Sequence, residues 1–246
     1  GIGGSTKTWG KQIEAFSEQY NLLLLDLPGH GLNADNVIYK VDADKLHNGI
    51  KDTLDHLQIS QAHFVGLSMG TIVIVNFAVC HPEYVKTIIL GGSSLKLSGI
   101  YKGAVILANK IKRHVPYEFL YKFFAWFMMP SKSHKKSRLI LLREVVKLKK
   151  ETMYAWIEYV QFTLHPEQIL SKLEALGKKI LFISGDEDHC FLDDAKALAR
   201  KMRNTEIRII EKCGHICSIE KWSVFNRIVL DFLSGNVANM KIAGSN

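Results

Sequence analysis

The sequence predicts an α/β fold: a mostly parallel central sheet flanked by helices, with a helical insertion. Three observations carry that prediction. Short apolar runs alternate with segments of helical spacing, from residue 21 to residue 90 and again from 179 to 233. That is the rhythm of parallel strands joined by crossover helices. The runs are mostly continuous rather than alternating, as strands buried on both faces are. Between the two stretches, residues 95–165 read as several helices with no strand.

Each element follows from its residues. Asn21–Leu27 (NLLLLDL) is an apolar run that leads into Pro28-Gly29-His30-Gly31, so a buried strand and a loop are expected there. Asp44–Leu57 has helical spacing. Ala62–Leu67 (AHFVGL) predicts a strand and Met69–Cys80 a helix. Val85–Leu90 predicts a strand that stops at Gly91-Gly92-Ser93-Ser94. The insertion holds an aromatic run, Phe119 to Pro130, and a basic helix over 134–150. Lys179–Ser184, ending in Gly185, and Glu206–Ile210 predict two further strands. Asp193–Met202 and Val224–Leu233 predict the helices that follow them. The tail from Ser234 is small and polar, and fraying is expected.

Composition narrows the class. The 246 residues are 47% hydrophobic and 23% charged, which excludes a disordered chain. Four Cys exclude a disulfide scaffold. The net charge of +8 is uneven. Residues 95–165 hold 14 Lys and Arg against 4 Asp and Glu, while the rest holds 18 against 20. Such a patch suits anionic partners. A stretch without formal charge, Ala62 to Pro82, reaches membrane-helix length. Gly66, Ser68, Gly70 and Asn76 interrupt it, so no transmembrane segment is expected. No secretory signal is visible, which makes the cytoplasm the default compartment and the cysteines thiols.

The strongest local signal is Gly66-Leu67-Ser68-Met69-Gly70, a G-x-S-x-G between an apolar strand and an apolar helix. A sharp strand-to-helix turn strains the Ser backbone and crowds the residues two before and two after it, where Gly fits. The hydroxyl then stands beside a helix N-terminus that favours a developing anion. A lone Ser is a poor nucleophile; it needs a base, and the base an orienting acid. Ser184-Gly185-Asp186-Glu187-Asp188 follows a strand and offers three carboxylates. The position selects Asp188, with Asp186 as runner-up and Glu187 last. Of ten His, His215 alone sits late in the chain on a strand-to-helix loop. His30 reads as a turn residue. Cys213 and Cys217 flank His215 at a zinc-like spacing, but with one His nearby they read as small core residues. No metal or cofactor is expected.

With these pieces in order, the chain resembles the α/β-hydrolase superfamily, of the kind with a helical cap. Gly1-Ile2-Gly3-Gly4-Ser5 with Trp9, Asp26-Leu27-Pro28-Gly29-His30-Gly31, the turn at Ser68, Gly185 to Asp188, and Gly214-His215 carry the resemblance. It looks most like small bacterial carboxylesterases, enol-lactonases and carbon–carbon bond hydrolases. The resemblance implies an oxyanion hole built from the N–H groups of Met69 and Ile2. It also implies sheet strands and a loop His upstream of Gly1, so the fold is expected to lack its N-terminal strands here. The family's cap follows the strand ending near Gly92, which divides the chain into a core of 1–94 and 166–246 and a cap of 95–165.

The expected chemistry is therefore Ser-His-Asp hydrolysis of a carboxylic ester, thioester or lactone through an acyl-enzyme. The alternatives are a carbon–carbon or enol-lactone hydrolase of the same fold, or a slow-turnover ligand receptor or signalling protein. An apolar acyl substrate is expected, with Trp126, Phe127 and Met128 against it. The basic cap is expected to suit anionic lipid or an acidic carrier protein. No nucleic-acid module is present.

Overall fold

The computed structural model describes residues 1–93, 95–96, 102–103, 106–107, 110–112, 114–163 and 166–235. Four parallel strands form one sheet in the order β1 (Ala62–Leu67), β2 (Val85–Gly91), β3 (Lys179–Gly185), β4 (Thr205–Ile210). In register, Leu67 sits beside Gly91, Gly91 beside Ile183, and Gly185 beside Ile210. The carboxyl ends of the strands are thereby level, which puts the loops that follow them side by side.

Alternation sorts the strand residues onto two faces. Ile88 and Leu90 of β2 and Ile180 and Phe182 of β3 join one core. That core is covered by α2 (Ala43–His56), α3 (Met69–Cys80), α7 (Pro166–Ala175) and α8 (Leu192–Lys201). Ile89, Leu181 and Ile183 point the other way, toward α1 (Gly10–Phe16), the short α9 (Cys217–Glu220) and α10 (Trp222–Ser234). Both faces are enclosed along Ile88–Gly91 of β2 and Ile180–Gly185 of β3, which explains the apolar runs there. Helix α3 is apolar nearly all round because it is enclosed: Ile72, Val75, Phe77 and Ala78 are all buried. Helix α2 starts on Asp42, whose carboxylate accepts the Lys45 N–H at 3.1 Å.

Between β2 and β3 the described residues contain no strand. They hold α4 (Tyr117–Met128), α5 (Lys135–Val145) and α6 (Lys150–Thr163). The basic helix expected over 134–150 ends at Val145 instead. There a pair of β-branched residues, Val145 and Val146, coincides with a turn that buries Leu148 beside Val145 and Met153.

A second expectation fails at Asn21–Leu27, which is not a sheet strand. A strand needs a neighbouring backbone, and among the described residues this run pairs with none. Its Leu22, Leu23 and Leu25 stay 37–42% exposed. The tail expected to fray lies, beyond Gly235, outside the described residues. Among the described residues, no helix is long and apolar enough to cross a membrane.

Candidate active site

The turn after β1 is tight and strained. Ser68 has φ +52° and ψ −124°, a conformation that costs an L-residue about 1–3 kcal/mol. Its N–H is held by the carbonyl of Gly91 at 2.9 Å, and its own carbonyl accepts the Thr71 N–H at 2.8 Å. A Cβ on Gly66 would sit 2.8 Å from the Gly70 carbonyl oxygen, so the strand and helix close as the spacing predicts. The demand is one-sided, because a Cβ on Gly70 would meet nothing within 4 Å.

The loops after β3 and β4 bring Asp188 and His215 into line with Ser68. His215 Nε2 lies 2.9 Å from Ser68 Oγ, and His215 Nδ1 lies 2.9 Å from Asp188 Oδ2. Asp188 and His215 are both buried. Gly92 lies flat against His215: a Cβ there would be 3.2 Å from His215 Nδ1. The ring of Phe191 covers the imidazole at 5.0 Å. Asp186 takes a different part. Its Oδ1 accepts the Cys213 N–H at 3.1 Å. Partial burial works against its charge, yet the surrounding backbone N–H groups hold its carboxyl below the usual range. Gly185 admits the approach of the two loops, since any Cβ there would overlap the Cys213 carbonyl. Cys213 and Cys217 are buried thiols whose pKa burial pushes up.

The segment Gly1–Ser5 lies over the other side of Ser68. A Cβ on Gly1 would stand 3.2 Å from Ser68 Cβ. Four hydrogen bonds fix this segment. Gly4 N–H bonds Gly1 carbonyl at 2.9 Å, and Tyr121 O–H bonds Ile2 carbonyl at 3.1 Å. Ser5 O–H bonds Glu144 at 2.6 Å, and Gly3 N–H bonds His30 Nε2 at 3.1 Å. Accepting that N–H requires an unprotonated Nε2, so the proton sits on Nδ1, 3.1 Å from the Pro28 carbonyl. Burial pushes the pKa of His30 down to about 4, against a raising effect of the Pro28 bond. Asp26 braces the next residues by accepting from the N–H groups of Thr6 and Leu32 at 2.7 and 3.0 Å. Met69, the first residue of α3, has an N–H with no carbonyl partner inside its helix.

A pocket opens over Ser68, lined by Ile2, Met69, Leu120, Tyr121, Phe124, Met128, Ile140, Met153 and Ile157, among others. Of the three substrate contacts expected from sequence, Met128 lines it. Trp126 does not: it lies on the outer side of α4, 57% exposed. Phe127 is also outside the lining and stacks on Phe123. Helical geometry explains the Trp126 error, since 120, 121, 124 and 128 share one face and 126 lies on the opposite one.

Two groups escape a reading of the sequence. His30 looked like a turn residue, yet it holds the Gly1–Ser5 segment. His134, at the start of α5, is fully buried, 2.7 Å from Glu187 and 3.6 Å from Glu220. Glu220 also accepts the N–H of Gly214 at 2.8 Å. The start of α5 is thus tied to the residues directly preceding Asp188 and His215. A carboxylate beside the predicted acid was the one available signal.

The chain matches the model of the alpha/beta hydrolase family over residues 1–228. It is 28% identical over 229 residues to a 2-hydroxy-6-oxononadienedioate/2-hydroxy-6-oxononatrienedioate hydrolase of Cupriavidus pinatubonensis (strain JMP 134 / LMG 1197), which covers 87% of this chain and 76% of that protein. Among solved structures it is similar to MGS-M2, an alpha/beta hydrolase enzyme from a Medee basin deep-sea metagenome library. The TM-score is 0.78 at 23% identity, covering 95% of this chain and 86% of that one. The enol-lactonase from Burkholderia xenovorans LB400 has a TM-score of 0.74 at 21% identity, covering 95% and 88%. At such identities the two structures speak for the fold alone.

Proposed function

The chain belongs to the alpha/beta hydrolase family, and from that premise we propose that it hydrolyses an uncharged carboxylic ester or lactone with an apolar acyl part. The single observation behind this reading is the continuous Ser68–His215–Asp188 relay, with 2.9 Å links, at the floor of an apolar pocket. His215 Nε2 takes the proton from Ser68 Oγ as the oxygen attacks the carbonyl carbon. Asp188 keeps the Nδ1 proton in place and stabilises the imidazolium. The N–H groups of Met69 and Ile2 receive the oxyanion, each such donor contributing about 3 kcal/mol. His215 then protonates the leaving oxygen, and a water molecule repeats the sequence on the acyl-enzyme. We read residues 1–94 and 166–246 as the hydrolase core and 95–165 as a cap that shapes the acyl pocket.

The likeness to the Cupriavidus relative favours a second reading, cleavage of a carbon–carbon bond. A dioate, by its name, brings two carboxylates, which need cationic partners in a buried site. Among the described lining residues only Lys112 carries a formal charge. It is already paired with Glu158 at 2.8 Å and lies 5.1 Å over the ring of Tyr154. This favours neutral substrates over dicarboxylates.

A fluorophosphonate probe, followed by mass spectrometry, tests the reading first. Labelling at Ser68, abolished in Ser68→Ala, with turnover of neutral p-nitrophenyl esters, is expected. Turnover confined to dicarboxylates would favour the carbon–carbon reading. Labelling without steady turnover would favour a receptor.

A further inference from the structure

Helix α4 has two apolar faces. Leu120, Tyr121, Phe124 and Met128 line the pocket. Phe119, Lys122, Phe123 and Trp126 follow the i, i+3, i+4, i+7 pattern of a single stripe, and all four are exposed. Phe119 is 63% exposed and Phe123 53%. Phe127 widens the stripe by stacking on Phe123 at 6.1 Å. The outward face of a helix on a water-soluble body is ordinarily polar. Scattered apolar residues need no explanation, but a contiguous aromatic stripe does.

The surrounding charge selects what covers it. Residues 95–165 carry 14 basic and 4 acidic side chains. Lys122 lies within the stripe itself, and beyond Trp126 the chain runs through exposed Lys132, Lys135 and Lys136. A second copy of the chain, docked face to face, would oppose one basic surface with another. An anionic lipid surface supplies both complements: apolar depth for the rings and negative headgroups for the lysines. We propose that the outer face of α4 docks on an anionic bilayer. The proposal stands apart from the reaction, because Phe119, Lys122, Phe123 and Trp126 are all outside the pocket lining.

Cosedimentation of the whole chain with phosphatidylcholine vesicles, with and without phosphatidylglycerol, tests it without reference to turnover. Pelleting with the anionic vesicles is expected. It should fall as salt rises, because the screening length drops from about 10 Å at 0.1 M to about 3 Å at 1 M. Phe119→Ser with Phe123→Ser, and separately Lys122→Glu, should each lower binding by about tenfold or more. The melting temperature and any hydrolysis of a soluble short ester should stay unchanged. Equal pelleting with neutral vesicles, no pelleting, undiminished binding by the variants, or capture by an acidic protein in place of vesicles would each overturn the proposal.

Discussion

The loops after the strands and the helices between β2 and β3 build the candidate site by different means. On the strand side, position is set by backbone. Gly66, Gly92 and Gly185 let chain segments approach to distances that a Cβ would forbid, and the strand register levels Ser68 with the Asp188 and His215 loops. On the helical side, position is set by side chains. Met128, Phe124, Ile140 and Met153 supply surface, and a few polar ties such as Tyr121–Ile2, Glu144–Ser5 and His134–Glu187 hold that surface down. The first kind of site tolerates little change. The second can be reshaped residue by residue, which on the proposed reading would suit it to selecting among substrates.

The sharpest break in that contrast is Ser68→Ala. Turnover should fall by about 10⁴- to 10⁶-fold with little change in substrate affinity, read from kcat and KM on a neutral ester. A residual rate within tenfold of the parent would remove Ser68 from the chemistry.

His30→Ala comes next, because it takes away the acceptor of the Gly3 N–H. We expect kcat to drop by about 10²-fold with KM nearly constant, as for a weakened oxyanion donor. The same residue sets a pH dependence. The folded state keeps the imidazole neutral down to about pH 4, whereas the unfolded chain protonates it near 6.5. Its contribution to stability is therefore full above pH 6.5 and is lost as pH falls from 6.5 to 4. The whole span is worth about 3 kcal/mol. Urea melts across that range should be flatter for His30→Ala than for the parent, and parallel curves would refute the assignment.

His134→Ala probes the tie between the two regions. It leaves Glu187 and Glu220 facing a buried gap, and a loss of about 2–4 kcal/mol is expected from denaturant unfolding. Lys112→Met should be the mildest. With Lys112 paired to Glu158, kcat/KM on neutral esters should stay within about threefold of the parent. A large loss confined to carboxylate-bearing substrates would revive the carbon–carbon reading.

The sequence was most legible where one residue type satisfies one geometric demand. The five-residue turn at Ser68 and the Gly-led loop to Asp188 were readable for that reason. Strands β2 and β3 were readable too, because Ile88–Leu90 and Ile180–Ile183 are enclosed on both faces and carry apolar runs. Asn21–Leu27 has the same composition, yet a strand is a relation between two segments and composition reports one. The stripe on α4 failed for another reason. A helix that is apolar on opposite sides gives a pattern no clue to which side faces inward, so Trp126 could not be told from Met128. His134 was hidden because its meaning lies in Glu187 and Glu220, which are far from it in sequence.

The backbone angle at Ser68 has a consequence for how such a chain drifts under selection. Glycine adopts φ +52° freely, at an entropic penalty of about 0.5–1 kcal/mol in the unfolded state. The strain it would relieve is about 1–3 kcal/mol. Ser68→Gly is therefore expected to melt higher than the parent while losing its hydroxyl. On the proposed reading of Ser68 as the nucleophile, robustness and reactivity are opposed at this one position.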